Sequence, residues 1–173
     1  MKKIIFTILF SMLSTIAFAN SGKINLEGFG SWDITAINAG KGDLAITYDG
    51  IASMKDKNGD QVFNNVSVHC VGGLTTQGGN FVDETGMCRF DLFDGESVFI
   101  KYTGKGTTGV DGSGAFVFVR GTGKYENIKG SGTSSRTNLK TKKKGFASTL
   151  NTVSYTHLRA HETGRNLVCR LLL

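Results

Sequence analysis

The sequence predicts an all-β protein built as a small antiparallel β-barrel. Three observations predict this class. Short stretches alternate apolar and polar residues, turn residues separate these stretches, and helical periodicity is hard to find. The chain has 24 glycines and no proline in its 173 residues. Roughly six to eight short strands form either a closed barrel or a sandwich, and closure removes the sheet edges that promote aggregation.

The N-terminus has the pattern of a secretory signal peptide. Two lysines precede an apolar run from Ile4 to Ile16, and Ala17-Phe18-Ala19 has the small residues of a cleavage site. The run is shorter than the ~20 apolar residues that span a bilayer. We therefore expect residues 1–19 to be removed, leaving a secreted or periplasmic protein of a bacterial envelope that does not insert stably in a membrane.

The alternating stretches assign side chains to faces. In SVFIKY, Val98 and Ile100 share one face and Phe99 lies on the other. In GAFVFVRG, residues 114–121, two phenylalanines share one face and two valines share the opposite one. Because both faces of this second stretch are apolar, we expect the strand to be covered on both sides.

The connectors between strands carry hairpin chemistry. Asn58-Gly59 and Asp94-Gly95 each lie between two alternating stretches. Both dipeptides accept the positive φ angles that tight hairpin turns require. The sequence therefore predicts antiparallel neighbours on either side of each dipeptide.

Two cysteines, Cys70 and Cys88, lie between the signal peptide and the C-terminal tail. An even cysteine count in a secreted chain favours one structural disulfide, which stabilises by roughly 3 kcal/mol in the chain-entropy model. The alternative is a redox or metal-binding pair. No CxxC spacing is present, and His69 is the one nearby imidazole, so the disulfide is the favoured prediction.

The stretch VRGTGKYENIKGSG, from Val119 to Gly132, resembles the GGTGxFxxARG signature of dirigent proteins and allene oxide cyclase-like barrels. Arg120 replaces a glycine of the signature and Lys129 replaces its usual arginine. Similar stretches occur in small secreted bacterial proteins. The resemblance implies a calycin-like barrel with a tight turn and a short helical link between two long strands, and it implies fold rather than function. The matching residues are Gly121, Thr122, Gly123, Tyr125 and Gly130.

Candidates for chemistry are few. One histidine cannot complete a Ser-His-Asp set, and we assign no catalytic residue, cofactor or metal. Four acidic side chains are candidates for facing the interior of a barrel: Glu27, Asp33, Asp91 and Glu126. Three aromatic side chains either line a ligand cavity or fill the core: Trp32, Phe90 and Phe116.

The C-terminal tail, Val153 to Leu173, resembles an in-frame translation of a transposase-type sequencing adapter. VSYTHLRAHE matches the adapter read from its third base, and Leu167 to Leu173 match the segment after the index. We therefore expect a non-native tail, a domain from Asn20 to Thr152, and a closing strand cut short by loss of the natural end.

The adapter resemblance bears on one apparent metal motif. In HLRAHE, His157 and His161 would share one face of a helix, with Glu162 beside them, as in a zinc site. A translated adapter has no history of selection for zinc binding. The sequence therefore predicts no metal site in the tail.

The net charge gives little support for a nucleic-acid partner. It falls from +6 to +2 when two leader lysines, three tail arginines and one tail glutamate are set aside. The dense basic run LKTKKKG, Leu139 to Gly145, lacks interleaved aromatic residues and is typical of a solvated loop. Oligomeric state is not indicated.

Three functions are compatible with these features. The leading expectation is a non-enzymatic barrel that binds a small apolar ligand. The alternatives are a cyclase- or isomerase-like enzyme of the same barrel class, and a packed structural or interaction protein of the cell envelope. An interior cavity distinguishes the first two from the third, and fold alone does not decide among them.

Overall fold

The computed structural model describes residues 21–59, 62–140 and 145–158. Residues 1–20, including the expected signal peptide, and residues 159–173, including most of the adapter-like tail, lie outside this part of the chain. Eight strands and one 3-10 turn follow in order: β1 Ser21–Gly40, β2 Asp43–Asp56, β3 Val66–Thr76, β4 Asn80–Asp91, β5 Ser97–Thr107, β6 Asp111–Gly121, the 3-10 turn Gly123–Tyr125, β7 Ile128–Leu139 and β8 Phe146–Leu158.

The strands form a closed antiparallel barrel in sequence order, so the predicted fold class is confirmed. Each strand pairs with the next one along the chain, and β8 pairs back onto β1. Among the described residues, no helix has the length and apolar character needed to cross a bilayer. The connections are short, because consecutive antiparallel strands require only a hairpin.

Alternation along the strands creates the core. On β2, every second residue from Ile46 to Asp56 is buried and the intervening residues are exposed. Val66, Val98 and Ile128 are among the most deeply buried side chains. Burial of an aliphatic side chain of this size stabilises by roughly 1.5–3 kcal/mol. The core therefore lies inside the barrel, where the period-two pattern places one face of each strand.

The expectation that β6 is covered on both sides is wrong. Phe116 and Phe118 are buried inside the barrel, whereas Val117 is half-exposed on the outside. A barrel has one interior, and none of the described elements packs over the outer face of β6. The apolar outer face misled the prediction, because valine also suits an exposed strand position.

The predicted disulfide is confirmed. Cys70 on β3 lies directly opposite Cys88 on β4, and their sulfur atoms are bonded at 2.04 Å. Both half-cystines point into the core. The bond joins two neighbouring strands across 18 residues of chain and stabilises by roughly 3 kcal/mol in the loop-closure model.

The closing strand crosses the expected end of the native domain without a break. Strand β8 contains the last seven residues of the expected domain, Phe146 to Thr152, and continues into the tail from Val153 to Leu158. The second part pairs with β1 as far as Ser21↔His157 and with β7 as far as Ile128↔Leu158. The strand expected to be cut short is therefore completed by the first residues of the tail.

The interior face of β8 is polar for a core strand. Its buried residues include Ser148, Thr152, Ser154 and Thr156. A strand can pair with its neighbours in a barrel whatever its side chains are, because the hydrogen bonds between strands join only main-chain groups. Pairing of residues 153–158 therefore does not require a sequence selected to complement this core.

Candidate functional site

An inner chamber lies within the barrel and has a volume of about 90 Å³. The three aromatic residues that the sequence suggested for a cavity, Trp32, Phe90 and Phe116, all line it. They come from β1, β4 and β6, so barrel closure brings together positions far apart in the chain. The disulfide between Cys70 and Cys88 forms part of the same wall.

Trp32 is held in this chamber by a hydrogen bond and a ring contact. Its indole N–H donates a hydrogen bond to Ser148 Oγ at 3.0 Å, and its ring stacks on Phe146 with centroids 5.8 Å apart. A side chain at Gly50 would place its Cβ 2.4 Å from the indole, and one at Gly30 would place it 2.7 Å away. Glycine on two neighbouring positions therefore provides the space that the large ring occupies.

Four polar side chains, hereafter the polar cluster, lie beside these aromatic rings: Tyr48, Glu84, Tyr102 and Arg136. Tyr48 donates a hydrogen bond to Glu84 Oε1 at 2.6 Å, and the two tyrosine hydroxyls are 2.5 Å apart. Arg136 Nη1 lies 2.8 Å and 2.9 Å from the two carboxylate oxygens of Glu84. The Glu84 side chain is 2% exposed and that of Arg136 is 18% exposed.

The hydrogen bonds of the polar cluster have one consistent direction. Because Tyr48 gives its proton to Glu84, Tyr102 must donate to Tyr48, and Arg136 donates to Glu84 from the other side. Each phenolic proton is therefore used within the cluster. A charged carboxylate inside a barrel requires such compensation, because an unpaired buried charge costs several kcal/mol.

Burial and mutual contact shift the titration of the two tyrosines. Burial, followed by the neighbouring Tyr102 and Glu84, raises the pKa of Tyr48 far above its ordinary value. Burial also raises the pKa of Tyr102 to about 12; the hydrogen bond with Tyr48 opposes this change and the charge of Glu84 adds to it. Both phenols therefore keep their protons at pH values where an ordinary tyrosine loses its own.

Backbone space for the polar cluster comes from glycines on three strands. A Cβ at Gly104 would lie 2.3 Å from a carboxylate oxygen of Glu84. A Cβ at Gly72 or Gly86 would lie 2.3 Å or 2.2 Å from the hydroxyl of Tyr102. Contacts this short do not occur in real structures, so these positions admit the cluster only as glycine.

Sequence reasoning missed Glu84 as an interior carboxylate, although a signal was present. Counting back in steps of two from Cys88 places Gly86 and Glu84 on the interior face of β4. Phe81 is also buried, which a strict alternation would forbid. The pairing register with β5 shifts between Phe81 and Glu84. Because of this irregularity, both side chains point into the barrel although they are three residues apart.

The four acidic residues suggested for the interior are all elsewhere, so that expectation is wrong. Glu27 forms surface ion pairs with two lysines of β2 and its following turn, and Asp91 pairs with Arg89. Asp33 and Glu126 are exposed. Alternate residues of a strand face opposite sides, so a carboxylate enters the barrel only if it shares the face of the core residues. The sequence did not show which face these four residues occupy.

An outer chamber of about 230 Å³ adjoins the inner one. Tyr48, Arg136 and Phe146 line both chambers and therefore stand between them. The remaining wall of the outer chamber is mostly aliphatic and aromatic. It includes Gly109 of the β5–β6 turn and Gly145 before β8, which places this chamber toward the end of the barrel that carries those connections.

Three buried side-chain atoms have no hydrogen-bond partner among the described residues: Thr108 Oγ1, Arg136 Nε and Asn138 Oδ1. All three residues line the outer chamber. Buried polar atoms are paired in the great majority of cases, because leaving one unpaired costs about 1–3 kcal/mol. The residues that carry these atoms all belong to the wall of one chamber, while the atoms themselves are packed against protein.

The dirigent-like turn motif lies away from both chambers, and none of its five residues lines either of them. Thr122 accepts the N–H of Ser97 at 2.8 Å and donates to Glu96, while Tyr125 donates to Asp94 at 3.1 Å. These bonds fasten the link between β6 and β7 to the turn between β4 and β5. Tyr125 is itself buried in the core.

Each glycine of the motif is required for a different structural reason. Gly121 ends β6, and a Cβ there would lie 2.5 Å from the carbonyl oxygen of Tyr125. Gly123 has φ +48°, in the left-handed region. Gly130 packs against β8, where a Cβ would lie 2.1 Å from the Tyr155 carbonyl oxygen. The motif thus builds a tight inter-strand link in this protein.

The described residues contain no group of three His, Cys, Asp or Glu side chains placed to hold a metal ion. His69 lies on the outer surface of β3, 2.7 Å from Asp49. His157 lies in a strand rather than a helix, while His161 and Glu162 are outside the described residues. Residues 141–144 of the basic run are outside them as well.

No protein-family model matches the chain. A search of curated proteins finds no match either. Among solved structures, the pterocarpan synthase dirigent protein GePTS1 aligns with a TM-score of 0.47 at 12% sequence identity, covering 83% of this chain and 89% of that one.

Proposed function

We propose that the barrel binds a small, mainly apolar ligand in its two adjoining chambers. The outer chamber carries this proposal, because it is a predominantly apolar cavity of about 230 Å³ inside the barrel. An engineered apolar cavity of about 150 Å³ binds benzene, so the outer chamber accommodates one ring with a short substituent. The inner chamber of about 90 Å³ is smaller and extends the site behind Tyr48 and Phe146.

Trp32 provides a direct assay of this proposal. It is the single tryptophan of the chain, and it lies in the inner chamber in contact with Phe146 of the dividing wall. Titration with toluene should change its emission saturably, with a dissociation constant between about 0.1 and 1 mM for a ligand of this size. Absence of saturable binding, checked by ligand-observed NMR, would contradict the proposal.

A matched pair of variants on β3 locates the bound ligand. Leu74 lines the outer chamber, whereas Val71 is half-exposed on the outer surface of the same strand. Leu74→Phe should fill the outer chamber and weaken toluene binding about tenfold or more, since the added ring atoms occupy the ligand's volume. Val71→Phe should leave binding unchanged. Equal effects of the two substitutions would place the ligand elsewhere.

A second candidate function is acid-base catalysis of an isomerisation or cyclisation. The observation that favours it is the buried Glu84 carboxylate in contact with a phenol of strongly raised pKa. Against it, the protons of both phenols are used within the polar cluster. Hydrogen-deuterium exchange at the methyl group of bound acetophenone distinguishes the two candidates, because a catalyst accelerates exchange in a Glu84-dependent manner and a binding protein does not.

We also propose that the mature protein is exported and that residues 153–173 are not native. The disulfide between Cys70 and Cys88 suits an oxidising compartment, and the leader pattern precedes Asn20. Mass spectrometry of the exported protein should show an N-terminus at Asn20. Sequencing of the intact gene should replace the codons after Thr152, and retention of the same tail there would overturn the adapter interpretation.

A further inference from the structure

We propose that Phe146 limits the ligand to a single ring, because its side chain divides the interior of the barrel into two chambers. This inference rests on the proposed function, and it adds a specificity-determining residue to it. Tyr48, Arg136 and Phe146, which line both chambers, form the dividing wall. Three observations carry the inference: the position of Phe146 in this wall, the contacts of the other two residues, and the volumes on either side.

Strand pairing places Phe146 in the dividing wall. It is the first residue of β8 and lies directly opposite Trp32 of β1. Alternation along β8 gives it the same face as Ser148 and Thr152, which are both buried. Its ring stacks on Trp32 with centroids 5.8 Å apart and meets Tyr48 edge-on at 6.4 Å. The ring therefore lies inside the barrel, between an aromatic residue of the inner chamber and one that lines both chambers.

The other two residues of the dividing wall are fixed by the polar cluster. Tyr48 donates to Glu84 at 2.6 Å, and Arg136 Nη1 lies 2.8 Å and 2.9 Å from the two carboxylate oxygens. Displacing either side chain breaks a buried, charge-assisted contact, which is strongly unfavourable. A phenylalanine side chain has no polar atom, so the contacts that hold the Phe146 ring are apolar. Phe146 is therefore the residue of this wall whose size can change without loss of a polar contact.

The volumes of the chambers explain why the dividing wall matters for ligand size. The outer chamber has about 230 Å³ and the inner one about 90 Å³. An apolar cavity of about 150 Å³ holds one benzene ring, so two linked rings need roughly twice that volume and exceed the outer chamber. Without the Phe146 ring, the two chambers and the space of the ring itself become continuous, and a second ring fits behind the first.

Two phenols that differ by one ring test this assignment: phenol and biphenyl-4-ol, each titrated against the purified protein at pH 7 by calorimetry and ligand-observed NMR. These methods do not depend on Trp32, whose emission changes with any substitution at Phe146 because the two rings are stacked. In the parent protein, phenol should bind saturably and biphenyl-4-ol should bind more weakly. Phe146→Ala should raise the affinity for biphenyl-4-ol relative to phenol by about tenfold or more, since burial of a further ring contributes at least about that factor.

Two controls separate the dividing wall from general effects of a smaller side chain. Phe29→Ala makes the same change on the outer surface of β1, where the ring is 51% exposed, and should alter neither affinity. Of the described walls, Phe90 belongs to that of the inner chamber alone. Phe90→Leu enlarges this chamber and keeps the dividing wall, so it should not raise the preference for biphenyl-4-ol, whereas Phe146→Leu should raise it in part. The two leucine variants decide the question if Phe146→Ala is too unstable to purify.

Each other outcome overturns a defined statement. If the parent protein binds biphenyl-4-ol as tightly as phenol, or if both substitutions at Phe146 leave the ratio of the two affinities unchanged, Phe146 does not set the size of the ligand. An equal rise in Phe90→Leu and Phe146→Leu would assign the effect to total volume rather than to the dividing wall. These results would refute the inference and leave the proposed function intact. If phenol does not bind the parent protein saturably, the proposed function fails, and the inference fails with it.

Discussion

The ion pair inside the barrel gives the sharpest test of the site as described. We consider Arg136→Met, which keeps an unbranched, mostly apolar side chain and removes the charge. The Glu84 carboxylate, 2% exposed, then remains in the barrel with Tyr48 as its remaining partner in the polar cluster. Loss of one member of a buried pair is far more costly than loss of the whole pair, because the survivor is buried and uncompensated.

The size of the effect follows from the geometry. Two unit charges about 4 Å apart attract by about 4 kcal/mol at an effective dielectric constant of 20. Removal of one partner from a buried pair typically costs about 3–5 kcal/mol. We therefore expect Arg136→Met to lower the free energy of unfolding by about 3–5 kcal/mol. The paired variant, with Glu84→Gln added, should return to within about 1–2 kcal/mol of the parent protein.

Urea unfolding followed by Trp32 emission measures these values, since Trp32 is the single tryptophan and is buried. Lys55→Met is the matched control. Lys55 pairs with Glu27 on the exposed surface at 3.3 Å, so its loss should leave the unfolding midpoint nearly unchanged. If Arg136→Met costs less than about 1 kcal/mol, or if the double variant is no better than the single one, Glu84 is not held as a buried, charged partner and the reasoning is refuted.

Three further predictions concern the rest of the molecule. Reduction of the Cys70–Cys88 disulfide should lower the free energy of unfolding by about 2–5 kcal/mol, and an unchanged urea midpoint with reductant would contradict its stabilising role. Gly123→Ala should cost about 1–3 kcal/mol, because φ is +48° and a carboxylate occupies the position of the new Cβ. Gly95→Ala, where no atom lies within 4 Å, should lower the melting temperature less, and equal losses would rule out a steric cause. Burial raises the pKa of Tyr102 to about 12, so the native state keeps a proton that the unfolded state releases near pH 10. The free energy of unfolding should therefore fall as pH rises from about 10 to 12, less steeply in Tyr102→Phe, and identical slopes would argue against this cause.

Local patterns in the sequence were sufficient to predict the class of fold and the disulfide. Alternation and Asn-Gly or Asp-Gly connectors report strand and turn residue by residue, without reference to a partner strand. Gly59 and Gly95 both have the positive φ that the connectors predicted, at +82° and +86°. Cys70 and Cys88 form the expected bond because each occupies an interior position on neighbouring strands.

The polar cluster was less accessible to sequence reasoning. Alternation from Cys88 back along β4 correctly places Glu84 on the interior face. Alternation from Phe81 forward places Glu84 on the exterior, because the pairing is irregular between these two residues. No sequence pattern indicated that Arg136 lies inside the barrel. The interior face of β7 around it consists of Gly130, Gly132 and Ser134, so neither face of the strand reads as apolar.

By itself, the amino-acid sequence determined that the chain forms antiparallel strands and that Cys70 can reach Cys88, because both properties depend on residue type and local spacing. Only the tertiary structure decided which carboxylate lies inside the barrel, and that it meets an arginine 52 residues away. Strand register and bulges set those contacts, and both arise from pairing between distant segments. A shift of one residue would exchange the interior and exterior faces of a strand, and with them the whole site.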